Sequence, residues 1–392
     1  MFEKLQAPPP DKILSLISAY AEDGRAGKID LGVGVYRDET GATPVLASVR
    51  EAERRLLAAQ TTKSYLGMGG DPTFCRVIVP LVFGADAPAE RIRALQTPGG
   101  SGALSILMGF AARLTSRIHI PEPSWGNHAA IARHVGLEIV RYPYFDAATG
   151  RVDFPAMKAA LERAEPGDLV LLHGCCHNPT GADLTRGEWS ELAGVLAERK
   201  LLALVDIAYQ GFGDGLEEDA WAVRHLAGLL PEMLVASSCS KNFGIYRDRT
   251  GAAFVLGRSP EEAAIAEAQL MAEARTGYSM PPDHGAAVVR IILEDADLTA
   301  RWRNEVETMR RRIADLRRGL AEAFRRRTNS GAYDFLTENR GMFSLIGVTP
   351  EEALRLRQEF GVYLVDDGRI NIAGLKEDQI DAFVEAVVTV KG

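Results

Sequence analysis

The feature that most constrains this chain is an alternation. Apolar runs of strand length stand at 117–120, 137–142, 168–173, 201–206, 233–237 and 252–256, with helical patterns between them near 125–135, 155–163, 186–199 and 219–229. A helix placed between two strands returns the chain to the edge where the first strand began, so successive strands run parallel. A parallel sheet in turn needs helices over both faces. The pattern therefore predicts an α/β fold with a mostly parallel central sheet. In such a sheet the loops at the carboxyl ends of the strands gather at one edge, which is where ligands bind.

The flanks carry different signals. Pro8-Pro9-Pro10 cannot be helical and reads as an extended arm, after which Asp11 caps a helix through Ile13, Leu14, Leu16, Ile17 and Tyr20. Ile29 to Tyr36 reads as a short strand whose glycines allow close backbone approach, and about Val45 to Gln60 as an amphipathic helix. A long charged helical pattern runs from Asp297 to about Arg327, followed by strands and helices ending at Val390. That last segment is expected to form a second, smaller unit together with residues near the N-terminus.

With 392 residues, 46% of them hydrophobic, the chain can build a large core. A net charge of −8 argues against a nucleic-acid partner, and the clusters Arg310-Arg311-Arg312, Arg317-Arg318 and Arg325-Arg326-Arg327 read as a solvated helix face beside acids. No apolar stretch has the length of a membrane span, and the start lacks a secretory pattern. The four cysteines include the adjacent pair Cys175-Cys176 and no C-x-x-C spacing, so neither disulfides nor a metal site is expected. These features predict a cytoplasmic enzyme without membrane contact.

Lys241 lies in Ser237-Ser238-Cys239-Ser240-Lys241-Asn242-Phe243-Gly244, on a loop between two strand candidates. A lysine whose charge is suppressed by burial or a nearby cation becomes a free amine able to form a Schiff base with an aldehyde. Arg249, eight residues on, and the Ser238 hydroxyl could hold a phosphate. Together these groups suit pyridoxal phosphate. Standing alone, Lys241 would read as an ordinary surface lysine.

Further motifs sit at predicted strand ends. Gly99-Gly100-Ser101-Gly102 opens a helix, where free N–H groups suit a phosphate, although a glycine turn can equally just redirect the chain. Trp125 follows a strand and two prolines, as a flat surface for an aromatic ring or as core filler. Asn178-Pro179-Thr180-Gly181 reads as a rigid turn aiming the Asn178 amide into a cleft. Asp206 ends a buried strand, where a carboxylate would keep a pyridine nitrogen protonated or cap a helix, and Tyr209 stands three residues on. Arg275 and Arg369 are carboxylate clamps or surface arginines.

Taken together, Cys176-His177-Asn178-Pro179-Thr180-Gly181, Asp206-Ile207-Ala208-Tyr209-Gln210-Gly211-Phe212 and Ser240-Lys241-Asn242-Phe243-Gly244 resemble the fold-type I, class I pyridoxal-phosphate aminotransferases that act on aspartate and aromatic amino acids. The resemblance implies a large domain at 44–309 with a mixed, mostly parallel sheet. It also implies an arm at 1–12 and a small α/β domain formed by 13–43 and 310–392. By resemblance, Lys241 is the Schiff-base lysine and proton carrier, and Asp206 the partner of the ring nitrogen with His128 behind it. Asn178 and Tyr209 bond the ring oxygen, and Trp125 stacks on the ring. The phosphate falls to Gly99, Gly100, Ser101, Ser238, Ser240 and Arg249. Arg369 takes the substrate α-carboxylate, Gly34 lies on the closing segment, and Trp125 and Asn178 also border the substrate. Tyr65 and Arg275 would reach into the site of a partner subunit, so a homodimer with shared active sites is implied.

The implied reaction is ping-pong transfer of an amino group to 2-oxoglutarate. Arg275 suits dicarboxylates. Met280 stands where aspartate-preferring members usually carry asparagine, and Cys239 looks like the bacterial aromatic members. The expectation is transfer from phenylalanine, tyrosine, tryptophan and aspartate. A strict aspartate aminotransferase and a pyridoxal-phosphate lyase of the same fold are the alternatives.

Overall fold

The computed structural model describes residues 1–7 and 12–392, so the proline arm at 8–10 and the Asp11 cap lie outside the described residues. Its centre is a seven-stranded sheet in the order Ile92–Pro98, Thr250–Leu256, Met233–Ser238, Leu202–Ile207, Leu169–His173, Arg117–Glu122, Glu138–Pro143. Thr250–Leu256 is antiparallel to both its neighbours, and the remaining pairs are parallel. The fold is thus α/β with a mixed, mostly parallel sheet. Each of the six strands anticipated from sequence is present within two residues.

Ile92–Pro98 was not anticipated, and the reason is local. Its sequence places Arg93, Gln96 and Thr97 among the apolar residues, which breaks strand periodicity. Gln96 can nevertheless be buried because its amide is used. Its Oε1 accepts from the Asp71 N–H at 2.8 Å and its Nε2 donates to the Pro282 carbonyl at 2.7 Å. Conversely, the strand expected over 29–36 shrinks to Ile29–Asp30, paired with Val362–Tyr363. Beyond it, side chains replace the ladder. Asn371 Nδ2 donates to the carbonyls of Val33 and Val35, and the Tyr36 N–H donates to the Tyr246 hydroxyl.

The helix Ala296–Thr328 spans 33 residues and touches two separate cores. Leu298, Trp302, Val306, Met309 and Ile313 join the apolar cluster on one face of the sheet. Leu316, Leu320 and Phe324 join another, made with Ile29, Leu31 and residues between 336 and 390. Trp302 also reaches the lysine loop. Its ring stacks on Phe243 with centroids 4.3 Å apart, and its Nε1 donates to the Asn242 carbonyl at 2.8 Å. A fully buried tryptophan contributes roughly 3–5 kcal/mol, so the residues just after Lys241 are firmly anchored.

Most of the helix's arginines do form the charged face expected, paired to Glu307, Asp315, Asp334, Asp381 and Glu385. Arg317 departs from that expectation. It is 3% exposed and donates to the main-chain carbonyls of Leu336, Arg340, Gly341 and Phe343. A guanidinium has five donors in a fixed fork, which suits a cluster of helix-end and loop carbonyls.

Candidate active site

Because six strands share one direction, His173, Asp206, Ser238 and Pro98 all end at the same sheet edge. A cavity of about 230 Å³ opens there, and Lys241 lines it. The Lys241 ammonium is 4.7 Å from the centre of the Tyr209 ring. Burial pulls its pKa down to about 8; Asp206 opposes that shift and the Arg249 charge reinforces it. A lysine so placed supplies neutral amine near physiological pH, which a solvent-exposed lysine does not.

Asp206 is 8% exposed. Burial by itself would raise its carboxyl, but the hydrogen bond from His128 Nε2, at 2.9 Å, together with nearby positive charge including that of Lys241, outweighs that and holds it below the ordinary carboxylate range. The bond belongs to a chain. The Asn178 N–H points to His173 Nδ1 at 3.4 Å, leaving His173 Nε2 to face Ser124 Oγ at 3.1 Å. Ser124 Oγ in turn faces His128 Nδ1 at 2.9 Å. Every donor and acceptor is matched with both imidazoles neutral, which fixes their tautomers. Burial pushes His173 down to about 3, in keeping with that assignment.

At another wall lies an anion cradle. The helix Gly99–Ala111 begins at the cavity, so its first N–H groups have no intrahelical partners. Gly99 has φ +71°, and a Cβ there would stand 2.5 Å from Arg249 Nη2; a Cβ on Gly100 would stand 3.1 Å from that of Ser238. Only glycine leaves this space open. Arg249 donates to Ser240 Oγ at 3.5 Å and to the Tyr246 carbonyl at 3.1 Å, and among the described residues no carboxylate pairs with it. The arginine is thus joined to Ser240 rather than to Ser238, whose hydroxyl instead accepts from the Ser240 N–H at 3.2 Å. Ser101 also lines the cavity.

Asn178 Nδ2 donates to the Tyr209 hydroxyl at 3.3 Å, while its Oδ1 faces Arg369 Nη1 at 3.5 Å. Arg369, 6% exposed, donates from Nη2 to the Gly32 carbonyl at 3.0 Å and lies 4.6 Å from the centre of the Phe343 ring. Its Nε has no hydrogen-bond partner among the described residues. Such a buried guanidinium, with no carboxylate paired to its side chain among the described residues, is ready for an anion. Gly34 lines the cavity, and a Cβ there would come within 3.1 Å of Phe343. Trp125 lines it too, edge-on to His128.

The structure therefore brings together Gly34, Gly99, Gly100, Ser101, Trp125, Asn178, Asp206, Tyr209, Ser238, Ser240, Lys241, Arg249 and Arg369. Tyr65 and Arg275 stay outside this chain's cavity. Tyr65 is 92% exposed, and Arg275, also exposed, donates to Ser279 Oγ at 2.5 Å. Sequence reasoning gave no role to Ser124, His173 or Cys175, although all three stand inside the motifs that drew attention. Phe343 and Tyr246 carried no local signal, since their contacts arise only from tertiary approach. One cluster could tempt a metal reading, because Cys175, Cys176 and Asp219 offer ligand atoms within 4.8 Å. However, Asp219 accepts N–H bonds from Gly211, Gly213 and Asp214, and the Cys175 thiol is pushed up to about 12. Three of the carboxylate's acceptor positions are taken by main-chain amides, and the thiols stay protonated.

Comparison with known proteins agrees with this chemistry. A family model described as aminotransferase class I and II matches residues 26–387. An aromatic-amino-acid aminotransferase of Paracoccus denitrificans is 46% identical over 392 residues, covering 100% of both chains. An aspartate aminotransferase of Escherichia coli (strain K12) is also 46% identical, over 395 residues and 100% of both chains. A solved aromatic-amino-acid aminotransferase from Burkholderia pseudomallei, described as covalently bound to pyridoxal phosphate, superposes with a TM-score of 0.97 at 41% identity. It covers 100% of this chain and 99% of that one. With a family match across nearly its whole length, this chain belongs to the class I and II aminotransferases.

Proposed function

We propose that this chain is a pyridoxal-phosphate-dependent transaminase that moves the amino group of aromatic amino acids and of aspartate to 2-oxoglutarate. The observation that carries the reading is Lys241. Its amine, brought down to about 8 by burial, is available in neutral form near physiological pH inside a cavity that offers an anion cradle at one wall and a charged carboxylate, Asp206, at another.

The residues present fit the cofactor. Gly99, Gly100, Ser101, Ser238, Ser240 and Arg249 would hold its phosphate, Asp206 its ring nitrogen, and Asn178 and Tyr209 its ring oxygen, with Trp125 against its face. When bound, it supplies an electron sink for the pair left at the substrate Cα. The chain's own work is then the handling of protons and charge. Lys241, as a free amine, would take the Cα proton and return it across the amino nitrogen, two atoms away. Asp206, fixed by His128, stabilises positive charge at the ring nitrogen. Arg369, with its unpartnered Nε, takes the α-carboxylate as a fork and so orients the Cα–H bond. The unit built from both chain ends carries Gly34 and Arg369 and closes this side of the site.

A homodimer follows from the same reading. Tyr65 and Arg275 are exposed and do not line their own cavity, and in a dimer they would complete the partner's, Tyr65 on the phosphate and Arg275 on a distal carboxylate. The setting is the cytoplasm; among the described residues no helix is long and apolar enough to cross a membrane.

Overall identity does not choose the substrate, because an aromatic and an aspartate enzyme are equally similar to this chain. Arg275 favours aspartate, and strict aspartate transfer is the second reading. Met280, in place of an amide beside that arginine, weakens its anchoring and offers an apolar wall. We expect kcat/KM for phenylalanine and aspartate, each with 2-oxoglutarate, to agree within about tenfold, or ~1.4 kcal/mol in the transition state. A preference for aspartate of about a thousandfold, ~4 kcal/mol, would establish the strict enzyme.

A further inference from the structure

Asn178 reaches both Tyr209 and Arg369, yet it stands on a turn rather than on a strand. What fixes that turn is Asp183. Its Oδ2 accepts from the Cys176 N–H at 2.7 Å and its Oδ1 from the His177 N–H at 2.8 Å, so both carboxylate oxygens hold the two residues before Asn178. Cys176 has φ +51°, a left-handed conformation that a side-chain-bearing residue keeps only when its surroundings enforce it. Ala182 and Leu184 flank the aspartate, and its carboxyl has no partner other than these two amides among the described hydrogen bonds and ion pairs.

The turn is also docked from outside. The Gly181 N–H donates to the His177 carbonyl and the Gly181 carbonyl accepts from the Arg340 N–H, both at 2.7 Å. A Cβ on Gly181 would lie 2.5 Å from the Phe343 carbonyl and 2.8 Å from Arg317 Nη2. Arg317, by gathering the carbonyls of Leu336, Arg340, Gly341 and Phe343, fixes the surface against which the turn rests. Arg369 lies between the two pieces so fixed, Asn178 on one side and the Phe343 ring on the other.

We propose that Asp183 is a positioning residue for carboxylate recognition: by holding the Cys176–His177 amides it sets Asn178, and through Asn178 the orientation of the Arg369 fork. The inference rests on the reading of Arg369 as the α-carboxylate site. Asp183 does not itself line the cavity and is not part of the anion cradle, so its change should weaken carboxylate binding more than cofactor capture.

The test uses holoenzyme reconstituted with pyridoxal phosphate and 3-phenylpropanoate, a carboxylate with no amino group to transfer, followed by its perturbation of the visible spectrum. In Asp183→Ala we expect the dissociation constant for 3-phenylpropanoate to rise roughly 10- to 100-fold, the scale set by small misplacements of a binding group. Affinity for pyridoxal phosphate should fall by less than affinity for 3-phenylpropanoate, because Asn178 is one of several groups that would hold the cofactor and the phosphate cradle is untouched. Asp183→Asn, which keeps one acceptor oxygen, should recover part of the loss. In the Arg369→Leu background, Asp183→Ala should add no further loss, because both changes act on one interaction. Unchanged affinity in Asp183→Ala, a fully multiplicative double variant, or failure of both Asp183 variants to fold would overturn the proposal. Unchanged affinity in Arg369→Leu alone would instead fault the Arg369 reading on which it rests.

Discussion

Lys241→Ala is expected to abolish transamination, with turnover falling by roughly 10⁴-fold or more, the loss of a proton carrier and of a covalent attachment point together. The physical argument turns on what alanine cannot replace. Among the described residues Lys241 is the one amine lining the cavity, and burial has brought its pKa to about 8, so that it both gives up and accepts a proton near neutrality. The anion cradle of Gly99, Gly100, Ser101 and Arg249 is untouched by the change, so the variant should still bind pyridoxal phosphate but without the visible absorbance of a lysine-linked cofactor. Far-ultraviolet circular dichroism checks the fold, because Trp302 anchors the neighbouring Asn242 and Phe243 independently of the amine. Turnover near the parent level would remove Lys241 from the centre of this account.

Arg369→Leu carries the second large effect. Its guanidinium is 6% exposed, with one nitrogen unpartnered and another shared with Asn178. Truncating one partner of a buried, hydrogen-bonded charge pair costs about 2–5 kcal/mol, which corresponds to roughly 30- to 5,000-fold in kcat/KM. Every amino-acid substrate has the α-carboxylate, so phenylalanine and aspartate should lose alike. Arg275→Leu, by contrast, should penalise aspartate alone. A loss confined to aspartate in Arg369→Leu would exchange the roles of the two arginines.

The residues that were legible in the sequence share a physical situation. Asp206, Ser238 and Lys241 stand at or just after the carboxyl ends of apolar strands, where a polar side chain is costly unless it has work to do. Asn178 was legible because a proline turn announces its own rigidity. The strand Ile92–Pro98 was not, since the burial of Gln96 depends on the backbone of Asp71 and Pro282, neither of which a local pattern can place. The segment after Asp30 looked like a strand because its residues favour one, but the Asn371 amide took the carbonyls of Val33 and Val35 that a ladder would have used.

Arginines show the same limit from the other side. Arg317 and Arg318 are adjacent and identical in chemistry, and one is buried among four carbonyls while the other pairs with Asp315 at the surface. Helical phase separates them, and phase has meaning only once the facing segment 336–343 is in place. Phe343 and Tyr246 were invisible for that reason as well. Tyr65 and Arg275 are the reverse case, since resemblance gave them a role that a single chain leaves them too exposed to perform.

The most direct measurement is the stoichiometry of the half-reaction. Reconstituted protein mixed with excess phenylalanine and no 2-oxo acid should release one phenylpyruvate per Lys241 site, stop, and resume only when 2-oxoglutarate is added, with no ammonia formed. That result would show the amino group retained on the protein between two substrates. Continuous release of 2-oxo acid with ammonia, in the absence of any acceptor, would contradict the account and make the protein a lyase built on the same fold.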